Sequence, residues 1–143
     1  MKKYLDIVNE VHKSPYKLTI VSSGGGTNAI SALLEVPGAS NTILESHIPY
    51  SKESMNSFLN KKPDHYCSLD TCLNMAANAF KKSKQIDTSS KTKHLLGISI
   101  TANLATTYEK KGDHKFFIVV QAYDYTNCLL YTSDAADAMQ CVD

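Results

Sequence analysis

The chain has 143 residues, 43% of them hydrophobic and 20% charged, and a formal net charge of +1. That is the length of one domain with a real core, and the composition of a globular protein. It excludes a strongly basic nucleic-acid binder. No apolar run approaches a membrane span, and the start Met1-Lys2-Lys3-Tyr4-Leu5-Asp6 lacks a signal-peptide core, so a cytoplasmic protein without membrane contact is expected.

Residues 2–12 predict a helix with Tyr4, Leu5, Val8 and Val11 on one side, closed by Ser14-Pro15. His12, at its end, reads as a surface residue. Residues 17–22 predict a first strand. Leu18, Ile20 and Val21 are apolar on both faces, as in a strand covered by helices.

The strand runs into Ser22-Ser23-Gly24-Gly25-Gly26, and a helix with Ala29, Ile30, Leu33 and Leu34 begins at once. Three glycines let the backbone turn sharply and expose consecutive N–H groups, to which the helix adds its unpaired N-terminal donors. Such a turn suits a phosphate or an oxyanion, and Ser22 or Ser23 would stand beside it. Thr27 or Asn28 can cap the helix, which ends before Val36-Pro37-Gly38.

A second strand is expected near residues 46–50, at an edge or short because of Pro49. Residues 51–60 predict a short helix with Met55, Phe58 and Leu59 inward. Ser68 then caps a long helix with an apolar stripe at Leu69, Cys72, Leu73, Ala76, Ala77 and Phe80. Residues 81–93 read as a polar connector, 94–101 as a buried strand, 102–114 as a polar loop and 116–120 as a further buried strand. Strands separated by helices predict an α/β fold: a three-layer α/β/α sandwich with a mostly parallel sheet. Sites in such sheets gather at the carboxyl ends of strands, where residues 22–27, Tyr50-Ser51 and residues 103–111 would converge.

Every basic residue is lysine, so bidentate guanidinium recognition of an anion is impossible within this chain. Cys67, Cys72, Cys128 and Cys141 form no CxxC pair; Cys67 and Cys72, which straddle a helix start, read as buried thiols rather than a metal pair. No metal and no cofactor are expected. Self-association stays open.

The run from Cys128 to Asp137 resembles a translated sequencing adaptor, so the domain is expected to span 1–127, with 128–143 foreign to it. Residues 1–127 carry 15 lysines against 11 acids, a net +4, compatible with an anionic small molecule. A domain cut there is expected to be left with an uncovered apolar face or an unpaired edge, and hence poorly soluble.

Three segments carry a family resemblance. Ser23-Gly24-Gly25-Gly26, then Leu33-Leu34-Glu35-Val36-Pro37-Gly38-Ala39-Ser40, then Pro49-Tyr50-Ser51 resemble, in register without a gap, the C-terminal domain of the CinA family, the nicotinamide-nucleotide amidohydrolases. The likeness covers residues 17–121. Leu104-Ala105-Thr106-Thr107 and Gly112-Asp113-His114 resemble a eukaryotic branch whose members also carry a nucleotidylyltransferase-like domain.

The resemblance implies hydrolysis of the carboxamide of nicotinamide mononucleotide, or at least binding of a pyridine nucleotide or another small phosphorylated ligand. Ser23 would attack the carbonyl or position the attacking group, and Tyr50 would assist proton transfer. Gly24, Gly25, Gly26, Thr27, Ser51, Thr106, Thr107 and Lys111 would line the ligand site. The family's lysine falls at Met55, which cannot act as a base, and Lys52 would point elsewhere on its helix. The alternative is a catalytically inactive nucleotide-binding or regulatory domain.

Overall fold

A computed structural model describes the backbone of residues 3–103, 115–132 and 139–142. The elements run α1 (Lys3–Lys13), β1 (Lys17–Ser23), α2 (Thr27–Glu35), β2 (Ile43–His47), α3 (Lys52–Leu59), α4 (Leu69–Ile86), β3 (Leu95–Asn103), β4 (Lys115–Gln121), β5 (Thr126–Thr132) and β6 (Met139–Val142). The fold is α/β, as the alternation of elements predicts. The six strands are ordered β2-β1-β3-β4-β5-β6. β2 and β3 flank β1 in parallel, while β4, β5 and β6 extend the sheet antiparallel from β3.

Period-two alternation splits the core between two faces. Leu18 and Ile20 of β1 pack with Ile30 of α2, Leu96 and Ile100 on one face. Val21 meets Met55 and Leu59 of α3 and Met75 and Ala79 of α4 on the other. Further along that second face, Cys72 and Ala76 of α4 cover Phe117, Val119 and Cys128. β5 therefore runs on through the boundary expected at Asn127, keeping one register with β4 from Thr126 to Thr132.

Several sequence expectations are corrected. The second strand lies at Ile43–His47, earlier than residues 46–50. Its edge position holds, but Pro49 has no N–H to continue a ladder, so the strand must close before it. α4 continues to Ile86 through residues expected to be a connector. Its exposed lysines are tolerated because the opposite side still packs, down to the buried Ser83.

The buried face of α4 is also turned from the expected stripe. It comprises Thr71, Cys72, Met75, Ala76, Ala79 and Ser83, while Ala77 is exposed. The cause is close approach. β3 presents Gly97 and Ser99 to this helix, so small residues sit at the contact and Leu73 and Phe80 are displaced to its flanks. The polar side chains drawn in are satisfied: the Ser83 hydroxyl lies 2.9 Å from Thr19 Oγ1 and donates to the Leu96 carbonyl at 2.7 Å.

His12 is not a surface residue. It is 5% exposed, with Nδ1 2.8 Å from Thr42 Oγ1 and Nε2 2.9 Å from the Leu33 carbonyl. It thereby ties α1 to the end of α2 and to the approach to β2. Of the apolar side expected for α1, Val8 is buried, while Tyr4 and Leu5 are exposed.

Cys72 yields a pH prediction. Its sulfur is fully buried, 3.1 Å from Ser99 Oγ, and burial pushes the thiol up to about 11, partly offset by that hydroxyl. The unfolded chain releases this proton first as pH rises past the ordinary thiol value of ~8.5. Stability carried by the neutral thiol is thus complete below that value and is lost as pH climbs through about 11. Urea denaturation at pH 8 and pH 11 should show a loss of about 2–3 kcal/mol beyond that of Cys72→Ala. Equal pH slopes in the two proteins would remove the assignment.

Candidate functional site

The site is built where β1 ends. Side chains alternate along the strand, so the two serines part company. Ser22 is fully buried and its hydroxyl donates to the Gly25 carbonyl, stapling the glycine turn. Ser23, on the α3/α4 face, opens into a cleft of about 390 Å³. The glycine turn alone left the choice between them open; the turn's own hydrogen bonding and strand parity place Ser23 at the cleft.

Gly24 shapes the cleft floor. Its φ is +80°, and a Cβ there would stand 2.3 Å from the Ala102 carbonyl oxygen. Only glycine permits both this backbone and that approach to β3. Parallel pairing sets Ser23 opposite Thr101, so the ends of β1 and β3 are level. Asn103 and Ala102 complete that wall.

The opposite wall comes from the segment after β2. Tyr50 lines the cleft but is 83% exposed, so it stands at the rim. Ser51 caps α3, accepting from the Ser54 N–H at 3.0 Å. That employs its hydroxyl in the helix, and Ser51 is not among the residues lining the cleft.

Ser23, Gly24 and Tyr50 are therefore brought together, while Gly25, Gly26 and Thr27 are not part of this cleft. The turn crosses the sheet edge: Gly26, with φ +88°, faces Ile100 and borders an apolar depression with Phe116 and Ile118 on the α2 face. Gly26 also occupies the N-cap position of α2, with no side-chain cap bond, so neither Thr27 nor Asn28 caps the helix. Thr106, Thr107 and Lys111 lie outside the described residues, as do Lys110 and His114.

Residues of α3 also reach the cleft. Met55 is buried in the core at 1% exposure and also borders the cleft. Lys52 lines the same cleft, contrary to the expectation that it would point elsewhere. Residues three apart on a helix share a face, so positions 52 and 55 are neighbours. Tyr66 and Cys67, from the segment before α4, close the remaining side. The Tyr66 hydroxyl donates to Asn56 Oδ1 at 2.8 Å and its carbonyl accepts from Thr101 Oγ1 at 3.2 Å, which holds the ring from both ends.

No imidazole among the described residues lines the cleft. His47 borders a separate depression with Pro49 and Phe58, and its Nε2 is 3.1 Å from the Glu45 carboxylate. Among the described residues no three His, Cys, Asp or Glu side chains gather as a metal ion would require. No helix among them is long and apolar enough to cross a membrane.

A glycine turn at the carboxyl end of a parallel strand, with Ser23 and Tyr50 lining a cleft beside it, defines an α/β domain with a cleft at the strand ends. Among solved structures, the fold is that of the CinA (competence/damage-inducible) proteins. The competence/damage-inducible protein CihA of Agrobacterium tumefaciens superposes with a TM-score of 0.59 at 13% identity, over 98% of this chain and 78% of that one. The CinA-superfamily protein of Escherichia coli gives 0.58 at 12% identity, over 96% and 72%. The Enterobacter asburiae protein gives 0.55 at 16% identity, over 99% and 79%. No protein-family model matches the chain, and no curated protein matches it in sequence.

Proposed function

We propose that this chain is a CinA-type domain that binds a pyridine nucleotide in the cleft between the glycine turn and α3, with the ligand's carboxamide against Ser23. The observation that carries the reading is the meeting of Ser23, Gly24 and Tyr50 in one cleft, from segments far apart in the chain. In the hydrolytic form of this reading the substrate is nicotinamide mononucleotide. Ser23 Oγ attacks the carboxamide carbon, Tyr50 at the rim assists proton transfer, and ammonia leaves. Water then releases the carboxylate. The eukaryotic branch, with its accompanying nucleotidylyltransferase-like domain, supplies the cellular setting of this proposal, in NAD metabolism.

A second reading, binding without chemistry, is favoured by Met55. A thioether buried at 1% exposure stands where the resemblance puts the family's lysine, and a serine without a base is a weak nucleophile. Purified protein given nicotinamide mononucleotide separates the two. Under the hydrolytic reading ammonia is released, and Ser23→Ala cuts that release at least about 100-fold. Under the second there is no turnover, and the nucleotide raises the melting temperature of wild type and Ser23→Ala alike. A melting temperature indifferent to every pyridine nucleotide would sink both.

A further inference from the structure

We propose that Lys52 is the anion anchor of this cleft, gripping the ligand's phosphate rather than acting as a base; this rests on the cleft reading above. Lys52 contributes the one charged side chain among the described residues that line the cleft, and no carboxylate lines it. Its ammonium stands over the Tyr66 ring, 5.8 Å from the centroid. A ring face attracts a cation, and Lys52 is exposed to solvent. A lysine serving as a base needs the opposite, desolvation in an apolar pocket. The amine thus stands at the mouth of the cleft, where a bound anion would meet it.

The platform beneath it is rigid. Tyr66 is bonded through its hydroxyl to α3 and through its carbonyl to β3. The charge is thereby directed along a fixed aromatic wall at a small cost in side-chain freedom. Helix energetics give no reason for the residue. Lys52 opens α3, where the helix dipole disfavours a cation. A residue that local stability disfavours, kept over an aromatic ring beside a cleft, is explained by what it binds. With no arginine in the chain, a lysine beside an aromatic ring is the charged side chain available to hold a phosphate in this cleft.

The test is calorimetric titration of wild type, Lys52→Gln and Lys52→Arg with nicotinamide mononucleotide and with nicotinamide riboside, which lacks the phosphate. Wild type should bind the mononucleotide about tenfold or more tightly than the riboside. Lys52→Gln should remove that difference and leave riboside affinity unchanged, Lys52→Arg should retain most of it, and salt should weaken only the mononucleotide. If wild type binds the mononucleotide and Lys52→Gln binds it equally well, the anchor is disproved while the cleft reading stands. Equal weakening of both ligands in Lys52→Gln would also overturn it, since that marks a structural role. If wild type binds neither, the cleft reading and the anchor fall together.

Discussion

Replacing Gly97 with alanine should destabilise the protein by about 3 kcal/mol or more. A Cβ at position 97 would lie 2.1 Å from the Phe80 nitrogen, 2.4 Å from the Ala76 carbonyl oxygen and 2.7 Å from the Phe80 Cα. All three are backbone atoms in the middle of α4, so no side chain can rotate away. The helix itself must move outward, off β1, β3 and β4 together. That would loosen Met75 and Ala79 against Val21, and Cys72 and Ala76 against Val119. It would also part the Ser83 hydroxyl from Thr19 and Leu96, leaving buried polar groups unpaired. Urea denaturation monitored by far-UV circular dichroism measures the loss. A change under 1 kcal/mol would mean that α4 does not sit as close to β3 as described.

The second large effect belongs to the cleft. Gly24→Ala should abolish measurable nucleotide binding and cost about 1–2 kcal/mol from its left-handed backbone alone, before any clash. The clash is with main chain, the Ala102 carbonyl oxygen at 2.3 Å. Relief requires the ends of β1 and β3 to separate, which moves Ser23 away from Thr101, its register partner. A displacement of about 1 Å in such a constellation is costly to function. Calorimetric titration with nicotinamide mononucleotide beside a urea melt reads both consequences. Wild-type affinity in a folded Gly24→Ala protein would show that the turn does not shape the ligand site.

Much of this architecture follows from local chemistry. Ser68 caps α4 by accepting from the Thr71 N–H, and Ser51 caps α3 in the same way. The apolar runs of β1, β3 and β4 mark strands that bury both faces or nearly so. The glycine run forces a turn after β1 wherever the strand is placed. The edge position of β2 was legible in one residue, Pro49, whose ring ends a ladder.

Other features were decided by packing. A hydrophobic stripe shows that a helix has a buried side, but not how closely its partner approaches. Gly97 and Ser99 drew α4 inward and turned Ala76, Ala79 and Ser83 to the contact. His12 looked like a polar helix end because its partners, Thr42 and the Leu33 carbonyl, are remote in sequence. Lys52 was misread as facing away although residues three apart on a helix share a face, which puts it beside Met55; its further neighbour Tyr66 comes from a segment no local pattern links to it.

The sequence by itself determined the local chemistry on offer: two serines before a glycine turn, a tyrosine after a proline, and lysine as the basic side chain throughout. Turn geometry and donor chemistry are properties of a few adjacent residues and can be read without the rest. Only the tertiary structure decided that Ser23 rather than Ser22 faces the cleft, and that Gly26 belongs to the other face of the sheet. It alone brought Lys52 and Tyr66 together beside them. Those outcomes depend on strand parity, on parallel register between β1 and β3, and on the seating of α3 and α4, all of which are set by contacts between segments distant in the chain.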